Sequence, residues 1–260
     1  MDRILKARIA GRINHEAIQY GFACAKPGIS LLELDKYIEN FILVEGGKPA
    51  FKGYKGFSGA SCLSVNNVAV HGVPNEYLLV DTDILTIDLG TIYEGIYADS
   101  ARTEIIGGPL SFPHISSWLI DETEIILNHQ MAILRPGVSL LDIAIAGEMA
   151  AYEANNNSIR KLNLVESLGG HYIGEKLHLD PFIPNTLDYR KGSLNVDIQR
   201  RRYSSHFLKE GDILCIEPVT TIGPTDLTVD ADGWTCRTGA ISAHFEHTIF
   251  ITSNGYEILT

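Results

Sequence analysis

The chain says one short phrase twice, and each time the phrase ends on a carboxylate. Asp83 to Asp88 reads D-I-L-T-I-D, and Asp212 to Glu217 reads D-I-L-C-I-E. A second echo precedes each, K-P-G-I-S-L-L-E from Lys26 and R-P-G-V-S-L-L-D from Arg135. The order is the same both times: a Pro-Gly turn, an amphipathic helix, then a strand closing on an acid. That order is the footprint of an internal duplication, and it sets Asp88 and Glu217 in equivalent places. Two acids held as a pseudo-symmetric pair at the ends of apolar strands suggest a metal site between two half-domains.

The duplication divides residues 1–260 into a first half of about 1–108 and a second of about 109–260, expected to form a single domain. In the first half, helical spacing runs from about Arg3 to Ala25. Ser30 with Glu33 makes a capping-box pattern that opens a helix through about Ile42. Phe51 to Ser61, rich in Gly and aromatics, reads as a loop. Strands are expected near Ser61–Val70, Asp83–Ile92 and Ile96–Ile106. The second half repeats the scheme, with helices at about Ile115–Leu134 and Ser139–Ala154. Its strands are expected near Leu162–Leu168, Asp212–Thr221 and Ala240–Thr252. The second copy is longer. Its excess falls between Pro181 and Lys209, a polar stretch holding Arg190, Lys191, Arg200, Arg201 and Arg202. It reads as a solvated surface insertion, with a basic contact to an acidic partner such as ribosomal RNA as the alternative.

A formal charge of −11 argues against nucleic acid or an anionic membrane as the main binding surface. Cys24, Cys62, Cys215 and Cys236 show no C-x-x-C spacing, which speaks against a zinc ribbon or a thioredoxin motif. The N-terminus is broken by charge and lacks the apolar core of a secretory signal. No apolar run approaches the roughly 18 residues of a membrane span. A cytoplasmic protein with reduced thiols is expected. Nine histidines exceed what a fold of this size needs, so some are expected to work.

Strand periodicity turns the acids into a constellation. Ile84, Thr86 and Asp88 share one face, and Tyr97 and Asp99 share a face of the returning strand. With the turn near Tyr93 to Gly95, Asp88 and Asp99 are expected opposite each other, where two bare carboxylates repel unless a cation lies between them. Glu217 is the third acid. The fourth is Glu246, inside the apolar run S-A-H-F-E-H-T-I-F-I-T, where an unpaired acid is costly. His171, in G-G-H-Y-I-G, is the fifth candidate. Four carboxylates and one imidazole suit a site for two divalent ions of Mn, Fe, Co or Zn.

These residues resemble, essentially end to end, the type I methionine aminopeptidases, metallopeptidases of the pita-bread (creatinase-like) fold. The resemblance rests on G-Y-K-G-F with S-V-N-N-V-A-V-H-G-V-P, I-D-L-G followed by Y-A-D-S, G-G-H-Y-I-G-E-K-L-H, I-E-P, D-G-W-T, and F-E-H-T-I with G-Y-E-I-L-T. It implies an α+β fold with a pseudo-two-fold internal duplication and antiparallel sheet flanked by helices. It further implies that Asp88 chelates one metal, that His171 and Glu217 bind the other, and that Asp99 and Glu246 bridge both. Glu217 is then the proton carrier. His71 and His178 match the family's two active-site histidines that are not ligands. Tyr54, Phe57, Cys62 and Trp234 match the lining of the methionine pocket. The implied substrate is the N-terminal Met of peptides and nascent chains, with a small second residue, met by a monomer with at most transient ribosome contact.

Several positions depart from the family pattern. Tyr172 follows the ligand histidine where Gly is usual, Leu177 stands where an aromatic is common, and Ser58 replaces a Pro. Thr238 to Ile241 alters the turn before the last strand. His244 replaces a Gln and by parity faces the same side as Glu246, where it is expected to hydrogen-bond near the metals. Two other readings compete with the leading one. A pita-bread peptidase of X-Pro specificity is expected to carry a further N-terminal domain. A non-catalytic peptide- or ribosome-binding homologue is expected to have lost ligands.

Overall fold

The two Pro-Gly echoes launch helices that dock in the same way. A computed structural model describes residues 2–108 and 114–260 of the chain. The expected division near 108/109 therefore adjoins residues 109–113, which lie outside the described residues. Helices α1 (Arg3–Cys24) and α2 (Leu31–Val44) open the first half. Helices α3 (Ile115–Ala132) and α4 (Leu140–Asn156) open the second. Ser30 caps α2 by accepting from the Glu33 amide at 3.1 Å, but Glu33 gives its carboxylate to the Tyr37 hydroxyl at 2.7 Å. Ser139 and Asp142 complete the reciprocal box on α4. Just ahead of each helix the chain makes equivalent ties. Gly28 N donates to Leu79 O at 2.7 Å and Gly137 N to Leu208 O at 2.9 Å, while Ser30 bridges Leu78 and Ser139 bridges Phe207.

The strands of the first half are β1 (Lys48–Pro49), β2 (Cys62–Val65), β3 (Val68–Val70), β4 (Ile84–Tyr93) and β5 (Ile96–Ile105). Those that follow are β6 (Asn163–Leu164), β7 (Gly169–Tyr172), β8 (Leu179–Pro184), β9 (Ile213–Ile216) and β10 (Val219–Thr221). The last five are β11 (Thr228–Val229), β12 (Cys236–Arg237), β13 (Ser242–His244), β14 (His247–Ile251) and β15 (Tyr256–Ile258). In the first half β4 runs antiparallel between β2 and β5, and in the second β9 runs antiparallel between β7 and β14. The two repeated phrases are thus the central strands of equivalent three-strand units.

Alternation then sorts the side chains. Leu85, Ile87 and Leu89 of β4 pack with Ile13, Leu34 and Ile38 of α1 and α2, which leaves Thr86 and Asp88 on the opposite face. Leu214 and Ile216 of β9 pack with Leu127, Leu140 and Ile143 of α3 and α4, which leaves Cys215 and Glu217 on theirs. The two inner faces meet, and a third apolar cluster from both halves, including Phe57, Cys62, Leu177 and Cys215, lies beside the meeting.

Several expectations need correction, the first being the strand near Ser61–Val70, which breaks at Asn66-Asn67 into β2 and β3. The strand near Leu162–Leu168 shrinks to two residues in β6, because the chain turns at Val165 to Leu168 before entering β7. The long strands expected at Asp212–Thr221 and Ala240–Thr252 are each broken beside an acid, at Glu217-Pro218 and at Phe245-Glu246. Pro218 has no amide proton to continue a ladder. The stretch from Pro181 to Lys209 is not a solvated insertion throughout. It carries most of β8 and helix α5 (Ser193–Ser204), and it buries Leu187, Val196 and Tyr203 in the core under α4. Arg200 to Arg202 do face solvent, whereas Arg190 pairs with Glu166, Asp188 and Asp226.

Candidate metal centre

The β4–β5 hairpin delivers the first two acids. Its turn is Glu94-Gly95, with φ of 44° and 83°, the left-handed pair that a two-residue turn of this kind requires and that Gly accepts without strain. Tyr93 therefore faces Ile96, and the register sets Asp88 against Ala101 and Asp99 against Gly90. Asp88 and Asp99 are diagonal neighbours on one face, two residues out of the direct opposition that the sequence suggested. The offset is even, so the shared face survives. On its other side Asp88 faces Cys62.

The second half supplies the rest. At Gly170 a Cβ would lie 2.0 Å from Cys215 O, so only glycine lets β7 approach β9 this closely, and the approach brings His171 beside Glu217. Glu217 follows the end of β9, its carbonyl held by Asn185 Nδ2 at 2.9 Å. Glu246 sits in the break between β13 and β14, pinned to Ala101 of β5 by a two-way backbone bridge. His244, three residues along from Ile241, reaches the same place: its Nε2 is 3.7 Å from Glu217 and 4.0 Å from Glu246. Strand parity anticipated its facing, but these distances are too long for the hydrogen bond expected of it.

Three sets of donor atoms each lie within 4.8 Å of one another: Asp88, Asp99 and Glu246; Glu217, His244 and Glu246; and His171, Cys215 and Glu246. Glu246 is common to all three. Asp88, Asp99 and Glu246 are nearly sealed from solvent, at 7%, 3% and 3% exposure, and each keeps a buried oxygen with no hydrogen-bond partner. Burial pushes Asp88 up to about 7. It pushes Asp99, Glu217 and Glu246 well above the carboxylate range, helped by the other acids. Burial pulls His171 down to about 3, with His178 adding to it, and His244 down to about 3. The His171 Nδ1 proton is donated to Tyr172 O at 3.0 Å, so Nε2 presents its lone pair to the acids. Orphaned carboxylate oxygens and neutral imidazoles aimed at one point are what divalent cations require, and a cation reverses the like-charge repulsion. The residues fit a metal centre.

The acids form one wall of a cavity whose other walls are Phe51, Tyr54, Phe57, Cys62, His71, Leu177, His178 and Trp234. Phe57 meets Trp234 edge-on with ring centroids 5.3 Å apart. Trp234 is carried beside His71 because β12 pairs with β3, Cys236 against Val70. His71 itself holds a left-handed backbone, φ 58°, rare for a residue with a Cβ. Tyr54 Oη lies 3.0 Å from His178 Nδ1, and the His178 ring is 4.4 Å from that of His171. Burial, then the nearby Lys55, pulls His178 down to about 4, and burial also lowers His71. Every site residue expected from sequence therefore converges on this cavity. Three further residues join them: Phe51, from the stretch expected as a loop, and Leu177, at a departure in the pocket wall, line the cavity, while Cys215, one of the four cysteines without C-x-x-C spacing, lies among the donors. Position on the face of a strand was the available signal for Cys215.

The metallopeptidase family M24 model matches residues 6–253. The chain belongs to this family. Among its relatives, a methionine aminopeptidase of Mycoplasma capricolum is 35% identical and aligns with 100% of this chain and 96% of its own length. Methionine aminopeptidase 1 of Bacillus subtilis is 38% identical, covering 97% of this chain and 94% of its own. Among solved structures, the methionine aminopeptidase of Thermotoga maritima superposes with a TM-score of 0.86 at 32% identity, over 99% of this chain and 96% of that one. The prolidase of Pyrococcus furiosus shares the fold at a TM-score of 0.73 and 20% identity, over 99% of this chain and 63% of that one. The fold is the pita-bread fold, and an M24 member is a metal-dependent hydrolase. No helix among the described residues is long and apolar enough to cross a membrane.

Proposed function

We propose that this chain, acting as one catalytic domain built from both halves, removes the N-terminal methionine from nascent polypeptides by hydrolysing the first peptide bond. The observation that carries the reading is a single cavity in which apolar Phe57, Cys62, Leu177 and Trp234 adjoin four carboxylates and His171. Such a lining suits an unbranched thioether, which gains from contact with aromatic rings. Two divalent cations, of Co, Mn, Fe(II) or Zn, would be held by Asp88 on one side and by His171 and Glu217 on the other, with Asp99 and Glu246 shared. When bound, they supply a water nucleophile that is deprotonated near neutral pH and they polarise the scissile carbonyl.

The chain's own groups do the rest. Glu217, among the acids yet facing the open cavity, is placed to take a proton and pass it to the leaving nitrogen. With the Tyr54 hydroxyl donating to His178 Nδ1, the ring proton rests on Nε2, a donor for the tetrahedral oxyanion. His71, kept neutral by burial, hydrogen-bonds the scissile amide. The acids meet the substrate's free α-amine, which restricts cleavage to chain ends. Crowding beyond the pocket favours a small second residue.

The same reading makes the protein a cytoplasmic monomer, and the four free thiols support a reducing compartment. Exposed Arg200 to Arg202 on α5 are its surface for transient ribosome contact. The deciding assay offers Met-Ala-Ser, Ala-Ala-Ser and Ala-Pro-Ala to protein loaded with Mn, Fe(II) or Co. Cleavage of the first alone, abolished in Glu217→Gln, is the expected result. Preference for Ala-Pro-Ala would mean an X-Pro peptidase. Silence with every metal, in a folded protein, would mean a peptide-binding homologue.

A further inference from the structure

Two imidazoles flank the Glu217–Glu246 pair, one on each set of carboxylate oxygens. His171 Nε2 stands 3.8 Å from Glu217 Oε1 and 4.0 Å from Glu246 Oε1. His244 Nε2 stands 3.7 Å from Glu217 Oε2 and 4.0 Å from Glu246 Oε2. The second set of distances repeats the first. Both are too long for hydrogen bonds. They match two donors sharing a cation, because each donor lies about 2.0–2.2 Å from the ion and two donors then lie up to about 4 Å apart.

His244 has no other use for its ring. The side chain is 2% exposed and neither ring nitrogen has a hydrogen-bond partner. A buried polar nitrogen left without a partner is destabilising unless something binds it. The backbone, by contrast, is firmly placed: His244 N donates to Thr103 Oγ1 at 2.9 Å, and His244 O accepts from the same hydroxyl at 2.7 Å. That double tie aims the ring at the two carboxylates.

We propose that His244 is a further metal ligand of this centre, binding through Nε2 on the side of Glu217 and Glu246 away from His171. The inference rests on the reading of the cavity as a metal centre and adds a second imidazole to it. A second nitrogen donor in an otherwise oxygen-rich set favours Co, Fe(II) or Zn over Mn.

The test counts histidines on the metal without reference to turnover. Protein labelled with 15N-histidine is loaded with Co(II), and the strongly shifted imidazole N–H proton resonances of cobalt-bound rings are recorded by NMR. Two such resonances are expected in the wild type, with one lost in His244→Gln and the other in His171→Gln. A single resonance in the wild type, unchanged in His244→Gln, overturns the proposal while leaving the metal centre standing. No shifted resonance, with cobalt bound at stoichiometric amount, brings down the metal-centre reading and this proposal together. The wild-type count decides the question by itself where a variant fails to fold.

Discussion

Ala101 and Glu246 exchange both backbone hydrogen bonds, Ala101 N to Glu246 O at 3.3 Å and Glu246 N to Ala101 O at 2.9 Å. One residue comes from the hairpin of the first half and the other from the last strands of the second. Beside this bridge, the Thr248 hydroxyl accepts from Asp99 N at 2.8 Å and donates to Asp99 O at 2.7 Å. The seam between the halves is thus stitched at the two acids proposed to be shared between cations. The set of acids is therefore complete only when the two halves are docked.

Thr248→Val keeps the shape of a fully buried side chain and removes only the hydroxyl. Asp99 then loses both backbone ties. The expected loss is about 2 kcal/mol of stability, from buried groups left unpartnered, and about tenfold in metal affinity, from an acid less well held. Thermal melts and metal titrations check both. An unchanged melting point and an unchanged Kd would show that the strand alone positions Asp99.

Metal-free protein should lose stability as the pH rises above about 6.5. Asp88 is raised by burial to about 7, so its contribution is fully present below its unfolded value and is lost as pH climbs through 7. Asp99, Glu217 and Glu246 are raised further and extend the loss upward. The histidines act in the opposite sense. His171 and His244 at about 3 and His178 at about 4 hold stability above their unfolded value near 6.5 and lose it as pH falls toward those values. Above 6.5 the carboxylates therefore act alone among these groups. For Asp88 the whole change is about 4 kcal/mol spread from about pH 4 to about pH 7, of which under about 1 kcal/mol falls above 6.5. Above 6.5 the loss comes chiefly from the other three acids, and adding a divalent cation should abolish it. Melting temperatures with chelator and with Mn at pH 6.5 and 8.5 provide the test; equal falls in both would sink the idea.

Much of this was legible because duplication leaves two records of each element. The repeated Pro-Gly-x-Ser located the helices, and the period of two in D-I-L-T-I-D put Asp88 on the inner face. What escaped was set by single turns and by contacts across the chain. Glu94 and Gly95 both take left-handed backbones, which moved the hairpin register by two residues. Pro218 cut one expected strand, and the bridge of Glu246 to Ala101 cut another. No local pattern announces such a bridge, because its two residues lie in different halves. The buried side of α5 was hidden by its charge: Val196 and Tyr203 are too few to show a helical stripe among Gln and Arg.

Tyr54 should matter to catalysis only through His178. The Oη–Nδ1 contact at 3.0 Å holds the direction of the ring. Tyr54→Phe is expected to lower kcat by about tenfold, the value of one hydrogen bond, with little change in KM. His178→Ala should lower kcat by about a hundredfold or more, as loss of an oxyanion donor does. In the His178→Ala background, Tyr54→Phe should then do almost nothing. Additive losses in the double variant would mean that the tyrosine touches substrate directly.

Leu177 sets the width of the apolar pocket. It is buried beside Phe57 and Cys62 and lines the cavity wall. Cutting it to alanine removes methylene contacts worth about 1–3 kcal/mol to a bound side chain. The expected result is a KM for Met-Ala-Ser raised by about tenfold or more, with kcat nearly kept, since no group at the reacting bond has moved. The enlarged pocket should also admit Phe-Ala-Ser, which the wild type is expected to reject. Steady-state kinetics on the two peptides measure the ratio. If Leu177→Ala left both the KM for methionine and the rejection of phenylalanine intact, the side chain of the first residue would have to bind elsewhere in the cavity.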